Sequence, residues 1–340
     1  MIRMLKRFIV ACLVIAFAVT LWSAWWLLVK RNIAPVSVFI ESGEPLYKAV
    51  VKLRDGHVIN SPWLFSKAAI LAGIDRHIIP GRYDFQGRLS NYDVMHKLLR
   101  GDVAILTVTI PEGYNLQQIS RILNQKCGVN RRVFDSLSRD SVYLAGLGIK
   151  TGFAEGYLFP ATYNFPWGIP AGDAFGEMAG ALFSRLTDSI MIRATSLGYT
   201  VHDLLTMASI IESESKAEDE LGKIASVYTN RYKIGMRLQA DPTIIYGMGG
   251  LNRHLTTDDY KFPSRYNTYL YKGFPPTPIC SPGMKSIMAA LYPDSTNYLY
   301  FVADGNGRHV FNRSYEQHLK DIYRIKRELR KKALLLHNGS

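Results

Sequence analysis

Residues 8–29 are apolar without a charged interruption, and beyond them the hydrophobic pattern breaks into short periodic segments. The run is long enough to cross a bilayer as a helix, and Trp22, Trp25 and Trp26 suit an interfacial belt at its far end. Arg3, Lys6 and Arg7 precede it while Lys30 and Arg31 follow, so flanking charge does not orient it. A cleaved leader is the rival reading, but the run is long for one and no small-x-small site follows at once. The pattern favours an uncleaved anchor, with 1–7 as a cytoplasmic tail, 8–29 as the span and the bulk of the chain extracytoplasmic.

After an Asn32-Ile33-Ala34-Pro35 linker, residues 36–40 alternate as a strand. Segments 44–54 and 61–73 have helical spacing, and 81–85 reads as a turn into a short strand. Ser90 and Asp93 stand at capping-box spacing ahead of a helix over 90–99 that ends at Gly101. A β-branched strand over 103–110 closes at Pro111-Glu112-Gly113. Strand, helices and returning strand within about 70 residues make a small α+β unit. Farther on, 115–125 and 130–137 are helical, 151–165 is a loop, and 172–197 is one helix. Segment 219–234 is an amphipathic helix stopped by Gly235, while 237–250 and 262–283 read as loops crowded with Pro, Gly, Tyr and Asn. Segments 298–302 and 309–311 flank an Asp304-Gly305-Asn306-Gly307 turn as a hairpin, and a basic helix closes the chain. The expected class is α+β: a membrane helix, a small α/β subdomain, and a mixed α+β domain over 107–335.

One stretch, 200–218, organises the second half. Thr200 and Asp203 form a capping-box pair, and Val201, Leu204, Leu205, Ala208 and Ile211 recur on one helix face. Glu212 falls on that apolar stripe, whereas Glu214 and Glu218 point elsewhere. A carboxyl on an apolar face is costly to ionise and retains a proton near neutral pH, which is what a general acid requires. The plain alternative is a helix-end glutamate that reaches solvent.

Composition narrows the partners. At 340 residues the chain has room for an anchor and two compact units, and its +13 charge suits an anionic polymer or an acidic lipid surface. No zinc knuckle, RNP motif or contiguous basic arm supports nucleic acid. Arg324, Lys326, Arg327, Arg330, Lys331 and Lys332 read as a solvated helix face. Cys12 lies in the apolar run, leaving Cys127 and Cys280, which do not make a disulfide framework.

The loops around the central helix supply Gln239, Asp241, Tyr246, Asn267, Tyr269 and Tyr271. Saccharide sites use such mixtures, aromatic faces covering ring C–H groups while amides and carboxylates bond hydroxyls. Tyr and Asn also populate ordinary loops. Ser213-Glu214-Ser215-Lys216 matches S-x-x-K and Lys150-Thr151-Gly152 matches K-T-G of serine acyltransferases, but their order is reversed and S-D-N is missing. The histidines are dispersed, no metal-ligand spacing occurs, and His309 reads as packed or hydrogen-bonded.

Several motifs then stand in order: Glu155-Gly156-Tyr157-Leu158-Phe159-Pro160, Ala208-Ser209-Ile210-Ile211-Glu212, Arg237-Leu238-Gln239-Ala240-Asp241-Pro242-Thr243, Tyr266-Asn267-Thr268-Tyr269, Ile279-Cys280-Ser281-Pro282-Gly283 and Tyr300-Phe301-Val302-Ala303-Asp304-Gly305. With them the chain resembles the MltG (YceG-like) family of endolytic peptidoglycan transglycosylases, over nearly everything after the anchor. The resemblance implies a LysM-like subdomain over 36–106, a catalytic domain over 107–335 and an essential acid at Glu212. It implies peptidoglycan glycan strands as substrate, 1,6-anhydroMurNAc ends as product, peptidoglycan synthases as partners, and no cofactor or metal. Glu214 and Asp241 are then expected in orientation and sugar binding beside Gln239, Tyr246, Asn267 and Tyr269. Ala161, Thr277 and Ser281 depart from the family pattern, where Asp, Gly and Asn are usual. A membrane-tethered glycan-binding protein without activity is the alternative class. An aminodeoxychorismate lyase label also attaches to the family, but no pyridoxal phosphate site is legible.

Overall fold

The computed structural model describes residues 2–41, 43–74, 78–215 and 217–337. It is a mixed α+β structure that divides into two units, one made of 1–108, 125–129 and 164–170 and the other of 109–124, 130–163 and 171–340.

In the first unit α1 (Ile2–Leu28) leaves its apolar side chains uncovered, with a mean hydropathy of 2.3 over its most apolar window. After two intervening residues β1 (Arg31–Ile40) begins, so the expected linker is strand. β1 pairs antiparallel with β2 (Gly81–Leu89), and the register shifts between Ile33 and Val36. Pro35 explains the shift, since it has no N–H to give a ladder and is tolerated at bulges. Between the strands come α2 (Leu46–Asp55) and α3 (Pro62–Leu71), and α4 (Asn91–Arg100) follows β2. Val38, Ile40, Leu53, Phe65, Tyr83, Phe85, Val94 and Leu98 form their shared core. The Ser90–Asp93 capping box is made in both directions, and Gly101 ends α4 at φ 64°, the left-handed geometry that glycine adopts without strain.

Two short strands, β3 (Ile105–Thr109) and β4 (Thr162–Pro166), pair and carry the chain through both units. β4 lies in the segment read as loop. Its alternation is real, with Tyr163 and Phe165 buried, but it lasts five residues between prolines.

The second unit continues with α5 (Leu116–Cys127), α6 (Arg131–Leu137) and α7 (Ser141–Gly146), then α8 (Ala171–Phe183) and α9 (Asp188–Ser196). The expected single helix over 172–197 is therefore two. Thr187 is extended at ψ 163° and begins α9, while the Arg185 guanidinium covers the Ala181 carbonyl at 2.6 Å. α10 (Val201–Glu214) is the hub, packed against α9, α11 (Leu221–Lys233), α12 (Asp241–Gly247) and α13 (Met284–Leu291). Its Thr200–Asp203 capping box is complete, and every residue from Leu204 to Ile211 is buried. The helix is thus enclosed on all sides rather than along one stripe. α12 occupies a stretch read as loop, with Pro242 in its first turn, where a missing N–H costs nothing. β5 (Tyr300–Ala303) and β6 (His309–Asn312) form the expected hairpin, and α14 (Tyr315–His337) closes the chain.

Candidate functional site

α10 delivers Glu212 at the point where its buried run ends. The residue is half-buried, not enclosed by apolar neighbours as the stripe implied, and its Oε2 accepts the Gly283 amide at 3.0 Å. Gly283 is the cap of α13, so the carboxyl sits at a helix N-terminus, where backbone amides favour negative charge. The Pro111-Glu112-Gly113 turn closes over the same spot. Gly113 N–H donates to the Ser281 carbonyl at 2.9 Å, and Ser281 N–H to the Tyr114 carbonyl at 2.8 Å, which stitch the turn to the segment that positions Gly283.

Glu212 lines a cavity of about 620 Å³ with Glu112, Gly113, Tyr114, Gln118, Ser213, Glu214, Ser215, Glu218, Leu221, Lys285 and Ser286. Partial withdrawal from water raises the Glu112 carboxyl, the charge of Glu212 adds to the rise, and Lys285 opposes it. Lys285 is ion-paired with Glu218 at the rim. The Ser286 hydroxyl is buried in this wall without a protein partner. Glu112 was legible only as the turn after a strand; its place beside Glu212 depends on two chain segments about 100 residues apart in sequence.

The remaining expected residues divide among neighbouring cavities. Glu214, Gln239, Asp241 and Tyr269 come together in a cavity of about 490 Å³, with Arg231, Tyr260, Tyr300, His309, Tyr315 and His318. Glu214 lies in the wall of both this cavity and that of Glu212. Burial pushes its carboxyl up to about 7, against the hydrogen bond from the Tyr228 hydroxyl. The Asp241 carboxylate accepts Tyr269 at 2.7 Å and Tyr260 at 3.2 Å. Gln239 has φ 56°, a strained value for a residue with a side chain, and such strain clusters where geometry serves a site. The His318 Nδ1 is buried without a partner here, and the His309 Nδ1 is 2.8 Å from Glu220.

Tyr246 lies on the other side, in a cavity of about 600 Å³ that shares Gly113, Gln118 and Ser213 with the Glu212 cavity. Its hydroxyl donates to Glu155 at 2.8 Å, and Leu116 N–H reaches the same carboxyl at 3.0 Å. Glu155 is 5% exposed, and burial pushes it up to about 7. A further cavity of about 1020 Å³ shares Glu155, Tyr246 and Tyr266 with that one and is edged by Arg131, Arg132 and Arg139.

Asn267 is a correction. It is fully buried, its Nδ2 donates to the Tyr260 and Phe262 carbonyls, and its Oδ1 accepts the Tyr269 amide. With its amide committed to shaping the loop, it offers nothing to a sugar. Tyr271 is half exposed on that loop. Ser213 donates to the Ser209 carbonyl of its own helix at 2.8 Å, and Lys216 of the S-x-x-K match lies outside the described residues. The cysteines are free thiols.

The sequence model of the YceG-like family matches residues 38–324. A Bacillus subtilis (strain 168) protein named endolytic murein transglycosylase is 31% identical over 310 residues, 86% of this chain and 85% of its own. A Streptococcus pneumoniae (strain D39) protein of the same name is 30% identical over 275 residues, 71% of this chain and 50% of its own, so the chain spans about half its length. A crystal structure of a Listeria monocytogenes protein described as YceG-like superposes with a TM-score of 0.59 at 30% identity, covering 85% of this chain and 99% of that one. Family match, relatives and fold agree: this chain belongs to the YceG-like family.

Proposed function

We propose that the chain is a membrane-anchored endolytic murein transglycosylase that cleaves MurNAc–GlcNAc bonds and leaves 1,6-anhydroMurNAc ends. One observation carries this reading. Glu212, held by a backbone amide, stands in the second of four cavities in series, each sharing wall residues with the next. A chain cut in its interior needs room on both sides of the acid, and the series supplies it. The relatives named endolytic murein transglycosylase support the same activity.

In this mechanism Glu212 starts protonated and gives its proton to the bridging oxygen as the C1–O bond breaks and an oxocarbenium-like centre develops. The C6 hydroxyl of the same MurNAc attacks C1, and Glu212, now a carboxylate, takes the proton it releases. No water is consumed. A hydrolase needs a second carboxylate to activate water or to form a covalent intermediate. Glu214 is bonded to the buried Tyr228, and Asp241 to Tyr260 and Tyr269 of the adjoining cavity, which suits sugar binding better than that duty. Gln239 and Tyr269 line that cavity and Tyr246 the one opposite, as partners for glycan on either side.

The strand-and-helix unit after α1 serves as a LysM-like glycan-holding subdomain in this reading. The uncovered α1 is the anchor, with the bulk of the chain periplasmic and within reach of peptidoglycan synthases.

The test is digestion of isolated sacculi followed by mass spectrometry of the fragments. Wild-type protein should release anhydro-ended glycans and Glu212→Gln should release none, since glutamine keeps the shape but has no proton to transfer. Reducing ends would make the protein a hydrolase, and unchanged sacculi a binding protein.

A further inference from the structure

The structure brings a second carboxylate against the proposed acid, on a segment that the mechanism leaves idle. A Cβ built on Gly283 would stand 1.9 Å from Glu112 Oε1, so that carboxyl lies directly on the Gly283 backbone. The amide of the same residue is bonded to Glu212. Gly113, next to Glu112, would place a Cβ 3.8 Å from Glu212 Cγ. The turn and the α13 cap are fixed by the paired Gly113 and Ser281 backbone bonds, so Glu112 cannot retreat from the Gly283 amide with its backbone.

We propose that Glu112 is a positioning residue for proton transfer, forming with Glu212 a carboxyl pair that retains one proton between them. The inference rests on the transglycosylase reading and deepens it. Two carboxylates this close repel, and the repulsion is relieved when one of them holds a proton. Before cleavage the pair holds one proton, because each charge raises the cost of the other. After Glu212 has protonated the leaving oxygen, both are carboxylates, and the repulsion favours recapture of the C6 hydroxyl proton as the O6–C1 bond forms. The pair ends with the one proton it began with. The charged groups facing Glu112 are Glu212 from α10, Lys285 from α13, and Glu218 between α10 and α11. Lys285 is tied to Glu218, so its charge is shared between that partner and the pair.

The experiment is the pH profile of glycan turnover by the full-length protein in detergent, for wild type, Glu112→Gln and Glu112→Asp. Removing one carboxyl removes the repulsion that retains the pair's proton. In Glu112→Gln the alkaline limb should therefore move down by about half to one pH unit, a roughly three- to tenfold loss on that flank. Glu112→Asp, which keeps the charge one carbon farther back, should move less than half as far. An unmoved limb in Glu112→Gln overturns the inference, as do an equal fall at every pH or equal shifts in both variants. Wild-type protein that leaves no anhydro ends overturns the transglycosylase reading first, and this inference with it.

Discussion

A carboxyl buried without a bonded cation destabilises a fold whenever it ionises, and Glu155 is in that position. Its partners are the Tyr246 hydroxyl and the Leu116 amide, and its folded pKa of about 7 stands above the 4.5 of an exposed glutamate. The native state therefore holds this proton more tightly than the unfolded chain does. Stability from this source is complete below about pH 4.5 and declines as pH rises towards 7, by roughly 3 kcal/mol. Thermal unfolding should show a lower midpoint at pH 8 than at pH 5, and Glu155→Gln should flatten that slope; equal slopes would remove the carboxyl from the account. Asn267 makes a different prediction. Asn267→Ala strands two carbonyls and an amide inside the protein and should cost about 2–4 kcal/mol of stability, read as a fall in midpoint. The sequence placed Asn267 at the sugar because amides among tyrosines read alike whether they face a ligand or their own loop. Glu155 was visible as part of a motif, but nothing local to it announces burial.

At the scale of elements, α10 was legible because its start signal is local: Thr200 and Asp203 specify the cap wherever the helix packs. Its complete burial was not, since a helix covered on every face keeps no polar side for periodicity to find. β4 and α12 failed for a related reason, each being short and marked by proline, the strongest loop signal. Their identity depends on partners elsewhere in the chain. Arg231 shows such a partnership. From α11 its guanidinium donates to the Leu299 carbonyl at 2.6 Å and also to the Leu238 carbonyl, tying the helix to the residue before β5 and to the segment that carries Gln239 into α12. A lysine has one point of charge and cannot span both carbonyls as the planar fork does. Arg231→Lys should lower stability by about 1–3 kcal/mol and weaken glycan binding through the displaced loop, measured as a raised KM with the acid plateau of the pH profile in place. Gly156 is constrained by its surroundings: at φ 83°, a Cβ would meet Pro278 at 2.4 Å. Gly156→Ala should therefore reduce soluble expression and midpoint together, because neither proline nor backbone can yield cheaply.

For the whole molecule, the apolar helix and the mixed α+β class could be read from hydropathy and turn signals. The joining of distant carboxyls around Gly283 could not, because no local pattern encodes it. The helix makes a direct prediction: full-length protein should float with lipid vesicles through a density gradient, and protein lacking residues 1–30 should remain in the load.

α1 also has no slack. Only Val29 and Lys30 separate Leu28 from Arg31 at the start of β1, the Trp26 carbonyl accepts Asn91 at 2.9 Å, and the Arg31 guanidinium reaches Val58 and Asn91. The helix is thereby joined closely to the strands and helices behind it, and as the proposed anchor it would pass on to them whatever tilt a bilayer imposed. With α1 as the proposed anchor, a thicker or thinner membrane would make the unit lean rather than ride higher on a tether, and lipid composition would set the angle at which it meets its surroundings.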